Sequence, residues 1–276
     1  MSHDADAAQT TSPDRRSARR VLIVGGVAGG ASCAARLRRL DESVEIAIFD
    51  RGPYVAFANC GLPYYVGDVI ADERTLLVSS PEMFRERFNI EVHTNTDVIG
   101  IDRAARTIVV RDLGTGNSRT ERYDALVLSP GAAPIRPQLP GVDLPGVFAV
   151  RNIPDSRRIR SWIADRRAST AVVVGGGFIG LEMVENLMHR GLSVTVVEKL
   201  PQVMPPLDPE VAVPLTEHLI AKGVQLHLGD GLARIDEGAD GRLIVAAESG
   251  ASFPADLVIL AIGVRPETGL ATAAGL

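Results

Sequence analysis

Aromatic residues make up only 4% of this 276-residue chain, and it has only two cysteines, Cys33 and Cys60. Scarce aromatics argue against aromatic-rich sandwich folds. Two thiols cannot build a disulfide framework, which points to a reducing, cytoplasmic setting. An excess of positive charge is also lacking. The 29 Lys and Arg residues face 34 Asp and Glu for a net charge of -5, which excludes nucleic acid as an expected partner. No window approaches the roughly 18 consecutive apolar residues of a membrane-spanning helix. Residues 19–35, RRVLIVGGVAGGASCAA, imitate an export signal, but four glycines interrupt them and Arg36, Arg38 and Arg39 follow at once. The expectation is a cytoplasmic globular chain long enough for two domains.

Glycine is abundant, with 27 residues, and part of it lies in a repeat. VLIVGGVAGGASCAARLRRLDESVEIAIFD, from Val21, returns 150 residues later as AVVVGGGFIGLEMVENLMHRGLSVTVVE. Each copy runs from a β-branched segment through a glycine cluster and a helix-period stretch to a second β-branched segment ending in an acid, which is a βαβ unit. This predicts an α/β fold with two Rossmann-like domains, doubly wound and three-layered, each binding a dinucleotide. Residues 1–19 are polar and read as a disordered tail. A β-meander is expected at about 91–128, with a Gly/Asn turn at 114–117. Helices are expected at 154–167 and 208–222, and short strands near 224–228, 242–247 and 256–262.

The second glycine cluster has the full G-x-G-x-x-G pattern in Gly175, Gly177 and Gly180, and Glu198 ends the next strand 23 residues after Gly175. The glycines give a tight turn, a close backbone approach for a pyrophosphate, and close helix-to-strand packing. Glu198 would accept hydrogen bonds from a ribose 2′-OH and repel a 2′-phosphate, favouring NADH over NADPH, although neighbouring Lys199 works against that choice. In the first cluster Gly25 and Gly30 hold the outer positions, Val27 replaces the middle glycine, Ala28 follows it, and Asp50 ends the strand 25 residues after Gly25. Two dinucleotide sites in one chain suggest an electron relay, typically FAD with a nicotinamide.

Cys60 lies in YVAFANCGLPYYVG, before a stretch that could begin a short helix, where a sulfur is favoured as thiolate. The alternative is an inert buried thiol, a description that suits Cys33 among its helix alanines. FANCGLPYY, after GGVAGG and before GGGFIGLE, resembles the coenzyme A-disulfide reductase branch of the FAD-dependent pyridine nucleotide-disulfide oxidoreductases, from about Val21 to Pro266.

That resemblance implies a FAD-binding domain at 20–150, an NAD(P)H-binding domain at 151–265 inserted in it, and Cys60 as the redox nucleophile. It implies cofactor contacts from Ile179 in the second loop, from Phe178 as an aromatic gate, from Glu182 toward the flavin, and from Ser129, Pro130 and Gly131. Each also has a plainer reading: Phe178 as a core residue opening a helix, Glu182 as an exposed acid, and 129–131 as a strand-ending turn. Ser32, Arg36, Arg39 and Asn59 match positions that contact coenzyme A, the arginines otherwise being a solvated helix face. Ala56 stands where the branch has a serine. Val55 and Tyr65 occupy the positions where a second cysteine would complete an internal dithiol, so a single sulfur must act. The absence of histidine from residues 25–32 favours a sulfur substrate over peroxide.

The resemblance therefore implies reduction of coenzyme A disulfide, with persulfide or polysulfide reduction and NADH oxidase activity as alternatives. The family continues past AIGVRPETG to complete the flavin domain and add a homodimerisation domain, so 266–276 would be the start of that return. On that ground an inactive nucleotide-binding fragment, with an unfinished first sheet and weak FAD retention, is the remaining alternative.

Overall fold

The computed structural model describes residues 19–276, so all of the expected tail except Arg19 lies outside the described residues. In chain order, the elements up to the repeat's second copy are β1 (Arg20–Val24), α1 (Gly29–Leu40), β2 (Glu45–Phe49), α2 (Leu62–Val66), α3 (Pro81–Phe88), β3 (Glu91–His93), β4 (Thr96–Asp102), β5 (Thr107–Asp112), β6 (Ser118–Arg122), β7 (Ala125–Leu128), β8 (Ala132–Pro134), β9 (Val147–Phe148) and α4 (Ile153–Arg166). They continue as β10 (Thr170–Val174), α5 (Phe178–His189), β11 (Ser193–Glu198), α6 (Pro209–Ala221), β12 (Gln225–Leu228), β13 (Leu232–Glu237), β14 (Leu243–Ala247), β15 (Ser252–Ala255), β16 (Leu257–Leu260), β17 (Val264–Pro266) and α7 (Gly269–Ala273). The described residues form two compact units, one from 19–51 with 81–129, the other from 52–80 with 130–276.

The first unit carries a parallel sheet in the order β3-β2-β1-β7. Its central strands β1 and β2 are apolar after their first residue because both faces are covered, and Leu22, Ile23, Ile48 and Phe49 are almost fully buried. Burial of each such side chain contributes about 2 kcal/mol. The meander is narrower than expected. Only β4, β5 and β6 form the antiparallel sheet, while Glu91–His93 and Ala125–Leu128 join the parallel one. The unbroken apolar run ALVL suits a parallel strand, whereas the alternating burial of β5 marks a sheet with one face wet. At the expected turn, Asp112 Oδ1 accepts from the N–H groups of Gly114 and Thr115 at 2.9 and 2.7 Å.

The second unit carries a parallel sheet in the order β12-β11-β10-β16-β9, with a three-stranded antiparallel sheet β13-β14-β15. Its core packs α5 Met183, Val184 and Leu187 against β10 and β11 through Val173, Val194 and Val196. Helix α4 starts one residue ahead of expectation because Asn152 accepts from Asp155 N–H while the Asp155 carboxylate accepts from Asn152 N–H, a capping box. Strands β13 and β15 were not legible. The first lacks clean alternation, and the second carries Pro254, tolerated because β15 is an edge.

Residues 52–80 and 130–150 group with the second unit. Strand β9 pairs with β16, and three arginines described below hold 52–80 to α4 and α5.

Candidate functional site

Each repeat copy builds a loop between a strand and a helix of 12 residues. In the first, Gly25 has φ +88° and its N–H donates to Phe49 O at 2.8 Å. A Cβ on Gly30 would sit 1.8 Å from Gly25 O, so α1 can approach its own loop only with glycine there. Asp50 Oδ2 accepts from Gly26 N–H at 2.7 Å. Ser129 N–H donates to Val24 O at 2.7 Å, which sets the serine at the end of β1, and its Oγ lies 3.3 Å from where a Gly29 Cβ would stand.

The second loop repeats these relations. Gly175 has φ +107° and donates to Val197 O at 2.8 Å, and a Gly180 Cβ would meet Gly175 O at 2.0 Å. Glu198, 7% exposed, accepts from Gly176 N–H at 2.6 Å through Oε2 and from Leu200 N–H at 2.8 Å through Oε1. Gly177 differs from its neighbours. Its φ is -82° and a Cβ would meet nothing within 4 Å, so nothing in the chain itself requires glycine there. The open space at Gly177 is what a pyrophosphate approaching the backbone would need, and the first loop departs from this pattern, with half-buried Val27 at the matching place.

Neither helix has a side-chain cap or an acidic residue in its first turn; the N-caps are Ala28 and Gly177. Both therefore present unpartnered N–H groups suited to an anion. Phe178 is 63% exposed at the start of α5, so it is not a core residue. Ile179 is half-buried. Glu182 is half-buried rather than exposed, and burial, reinforced by Glu185, pushes its carboxyl above the usual range.

Cys60 is exposed in a single 3-10 turn, Asn59–Gly61, ahead of α2. That helix is only five residues long, so the field expected from a helix N-terminus is slight; exposure is what the fold gives this sulfur. Val55 and Tyr65 are 1% and 8% exposed. Cys33 is half-buried in α1. Ala56 is buried with φ +46°, and its carbonyl accepts from Val78 N–H at 2.8 Å.

The segment around Cys60 has little regular structure of its own, and arginines supply the fixings. Arg160 Nη1 donates to Tyr65 O and Ile70 O at 3.1 and 3.2 Å, and its guanidinium lies 4.5 Å from the Tyr65 ring centre. Arg190 donates to Val66 O at 3.1 Å, and both Arg160 and Arg190 pair with Asp68. Arg157 holds Glu73 through both nitrogens of its fork at 2.9 and 2.6 Å, and Glu73 also accepts from Tyr54 and Tyr65 hydroxyls. Arg157 holds the Glu73 carboxyl below its usual range, and burial pushes the Tyr65 hydroxyl up. Sequence reasoning missed these residues. The available signal was RRIR in α4, which puts Arg157 and Arg160 three apart on one face.

Ser32, Arg36 and Arg39 are exposed at spacings that share one face of α1. Arg38, between them in sequence, is buried at 8% and structural, donating to Phe88 O, Asn89 O and Glu42 O. Asn59 is exposed beside Cys60. Pro130 and Gly131 belong to the second unit; Gly131 has φ +78° and its carbonyl accepts from Glu267 N–H at 2.9 Å. Among the described residues no cluster of side chains could hold a metal ion, and no helix is long and apolar enough to cross a membrane.

Comparison with known proteins gives a family match over residues 19–276, to the pyridine nucleotide-disulphide oxidoreductases. The chain is 36% identical over 249 residues to the coenzyme A disulfide reductase of Staphylococcus epidermidis, covering 90% of this chain and 55% of the relative. Reduced Bacillus anthracis CoADR-RHD superposes with a TM-score of 0.91 at 46% identity, covering 95% of this chain and 47% of the other. A NAD-dependent persulfide reductase from A. fulgidus gives 0.89 at 35% identity, over 93% and 48%. The chain thus spans about half the length of the relatives it matches. With its repeated βαβ units and twin glycine loops, it belongs to the pyridine nucleotide-disulphide oxidoreductase family.

Proposed function

We propose that this chain supplies the two nucleotide modules and the reactive thiol of an FAD- and NADH-dependent disulfide reductase acting on coenzyme A disulfide. The carrying observation is the pair of uncapped helix N-termini, each behind a glycine loop closed by its strand-ending acid. In this reading Gly25, Val27, Ala28, Gly30, Asp50 and the turn Ser129–Pro130–Gly131 serve FAD. Gly175, Gly177, Phe178, Ile179, Gly180 and Glu198 serve the nicotinamide dinucleotide. Bound FAD would relay an electron pair from nicotinamide to sulfur.

The chain's own chemistry falls to Cys60. Its thiolate attacks one sulfur of the disulfide, forming a mixed disulfide and releasing the first thiolate. Two electrons from NADH then cleave that bond, and with a proton the second thiol leaves while the Cys60 thiolate returns. The acceptor must supply the partner sulfur, because Val55 and Tyr65 stand at both dithiol spacings. Ser32, Arg36, Arg39 and Asn59 would receive the coenzyme, the arginine forks suiting its phosphates. The similarity to a coenzyme A disulfide reductase supports this acceptor.

The test is a flavin absorbance spectrum of the purified chain before and after NADH, followed by turnover with coenzyme A disulfide, a persulfide and oxygen in parallel. Bleaching on NADH and preference for coenzyme A disulfide are expected, with loss of disulfide reduction in Cys60→Ser. Full reductase activity in Cys60→Ser would overturn the assignment, and a persulfide preference would replace the acceptor.

A further inference from the structure

Two residues of opposite charge follow one another at the second glycine loop. Glu198 is turned inward and its two oxygens hold Gly176 and Leu200 N–H groups. Each oxygen keeps a lone pair for a ribose hydroxyl, and its charge opposes a phosphate. Lys199 points the other way, its side chain 74% exposed. A cation at this position is where a 2′-phosphate would find its partner.

The Lys199 ammonium lies 3.3 Å from Glu248 Oε1. Glu248 follows β14, in the turn to β15, far from the loop in sequence. Its placement is built rather than accidental. Glu248 N–H donates to Gly231 O at 2.8 Å, and Ala247 N–H donates to Ala251 O at 2.8 Å to close the turn. The carboxylate folds over Gly231, where a Cβ would stand only 2.9 Å from Oε1, so glycine leaves it the room. The adjoining acid, Asp230, is held by His227 at 2.6 Å and by Ser249 N–H at 3.0 Å, and its own N–H donates to Glu198 O at 3.1 Å.

We propose that Glu248 is a specificity-determining residue of this dinucleotide site: by pairing with Lys199 it withholds that cation from a ribose 2′-phosphate. The inference rests on the reading of the second loop as the nicotinamide dinucleotide site. Because both partners are solvated, the effect is modest and weakens as salt screens it.

The test is the equilibrium dissociation constant of the full chain for NADH and for NADPH, read by nucleotide fluorescence at low and high salt. Glu248 is half exposed on a turn, so Glu248→Gln endangers no core packing. The ratio of the NADPH to the NADH constant is expected to fall about 2- to 5-fold in Glu248→Gln, the range of an exposed ion pair. The fall should shrink at high salt and vanish when Lys199→Ala is added. An unchanged ratio in Glu248→Gln, or a fall that survives Lys199→Ala, overturns the role of Glu248. A native chain that binds neither dinucleotide overturns the site reading together with it, so the two failures are distinguishable.

Discussion

Glu198 accepts a hydrogen bond of 2.6 Å from the N–H of Gly176, and through its other oxygen one from Leu200. The acid that the sequence marks as a ribose ligand therefore also closes the glycine loop from within. An amide in its place can accept only one of these bonds and turns a donor toward the other N–H. Glu198→Gln is expected to lower the stability of the chain without nucleotide by about 1–3 kcal/mol, measured by denaturant unfolding. Unchanged stability in the absence of ligand would mean that the carboxylate serves only the nucleotide.

The three glycines of the second loop should separate in mutagenesis. Gly180→Ala forces a Cβ to within 2.0 Å of Gly175 O, so the helix must shift off its strand, and loss of several kcal/mol is expected. Gly177→Ala meets nothing in the chain, and as an N-cap change it should lower stability by only about 1 kcal/mol. Its dinucleotide affinity should nonetheless drop, because the methyl occupies the pyrophosphate's approach. Thermal unfolding and NADH titration of the two variants side by side decide this, and equal stability losses would refute it.

Much of this was legible in the sequence because the decisive signals are local. Val21–Val24 and Ala171–Val174 are continuous apolar runs, and glycines at fixed offsets leave few alternatives to a strand, turn and helix. What stayed hidden was non-local. The inward role of Glu198 depends on backbone 22 residues away, and Arg160 meets carbonyls 90 and 95 residues earlier. Nor could spacing separate Arg38, buried against Phe88 O, from its exposed neighbours Arg36 and Arg39. The fastening of the Cys60 segment is non-local as well: it follows the first βαβ unit in sequence but is held by Arg157 and Arg160 of α4 and by Arg190 just after α5.

Glu182 gives a pH-dependent expectation. Its carboxyl is raised by burial and by Glu185, so the fold holds its proton more tightly than the unfolded chain does. This contribution to stability is complete below the unfolded value, about 4.3, and is lost as pH rises through the higher folded value. Glu182→Gln removes the ionisation. The variant should therefore be more stable than the native chain at neutral pH, with the gain shrinking below the ordinary glutamate range. Melting midpoints at both pH values are the measurement, and a gain that persists undiminished in acid would contradict the assignment to ionisation.

Arg160 should govern the order of the Cys60 segment. It satisfies Tyr65 O and Ile70 O, stacks on Tyr65 and shares Asp68 with Arg190, while the segment's own helix has five residues. A helix that short has no stability of its own, so opening of the segment is set by these tertiary bonds. Arg160→Met keeps length and apolar stem but removes every donor. Amide exchange at Gly67 and Ile70, whose N–H groups bond to Pro63 O and Tyr64 O, should accelerate roughly tenfold or more. Alkylation of Cys60 should change in the same variant, whereas half-buried Cys33 in α1 should react as before. Arg166→Met removes a guanidinium that only stacks on Trp162 at 4.6 Å, and serves as the control. If Arg160→Met and Arg166→Met gave the same exchange at Gly67 and Ile70, the segment would be held by its apolar contacts through Leu62, Leu76 and Ile153 instead.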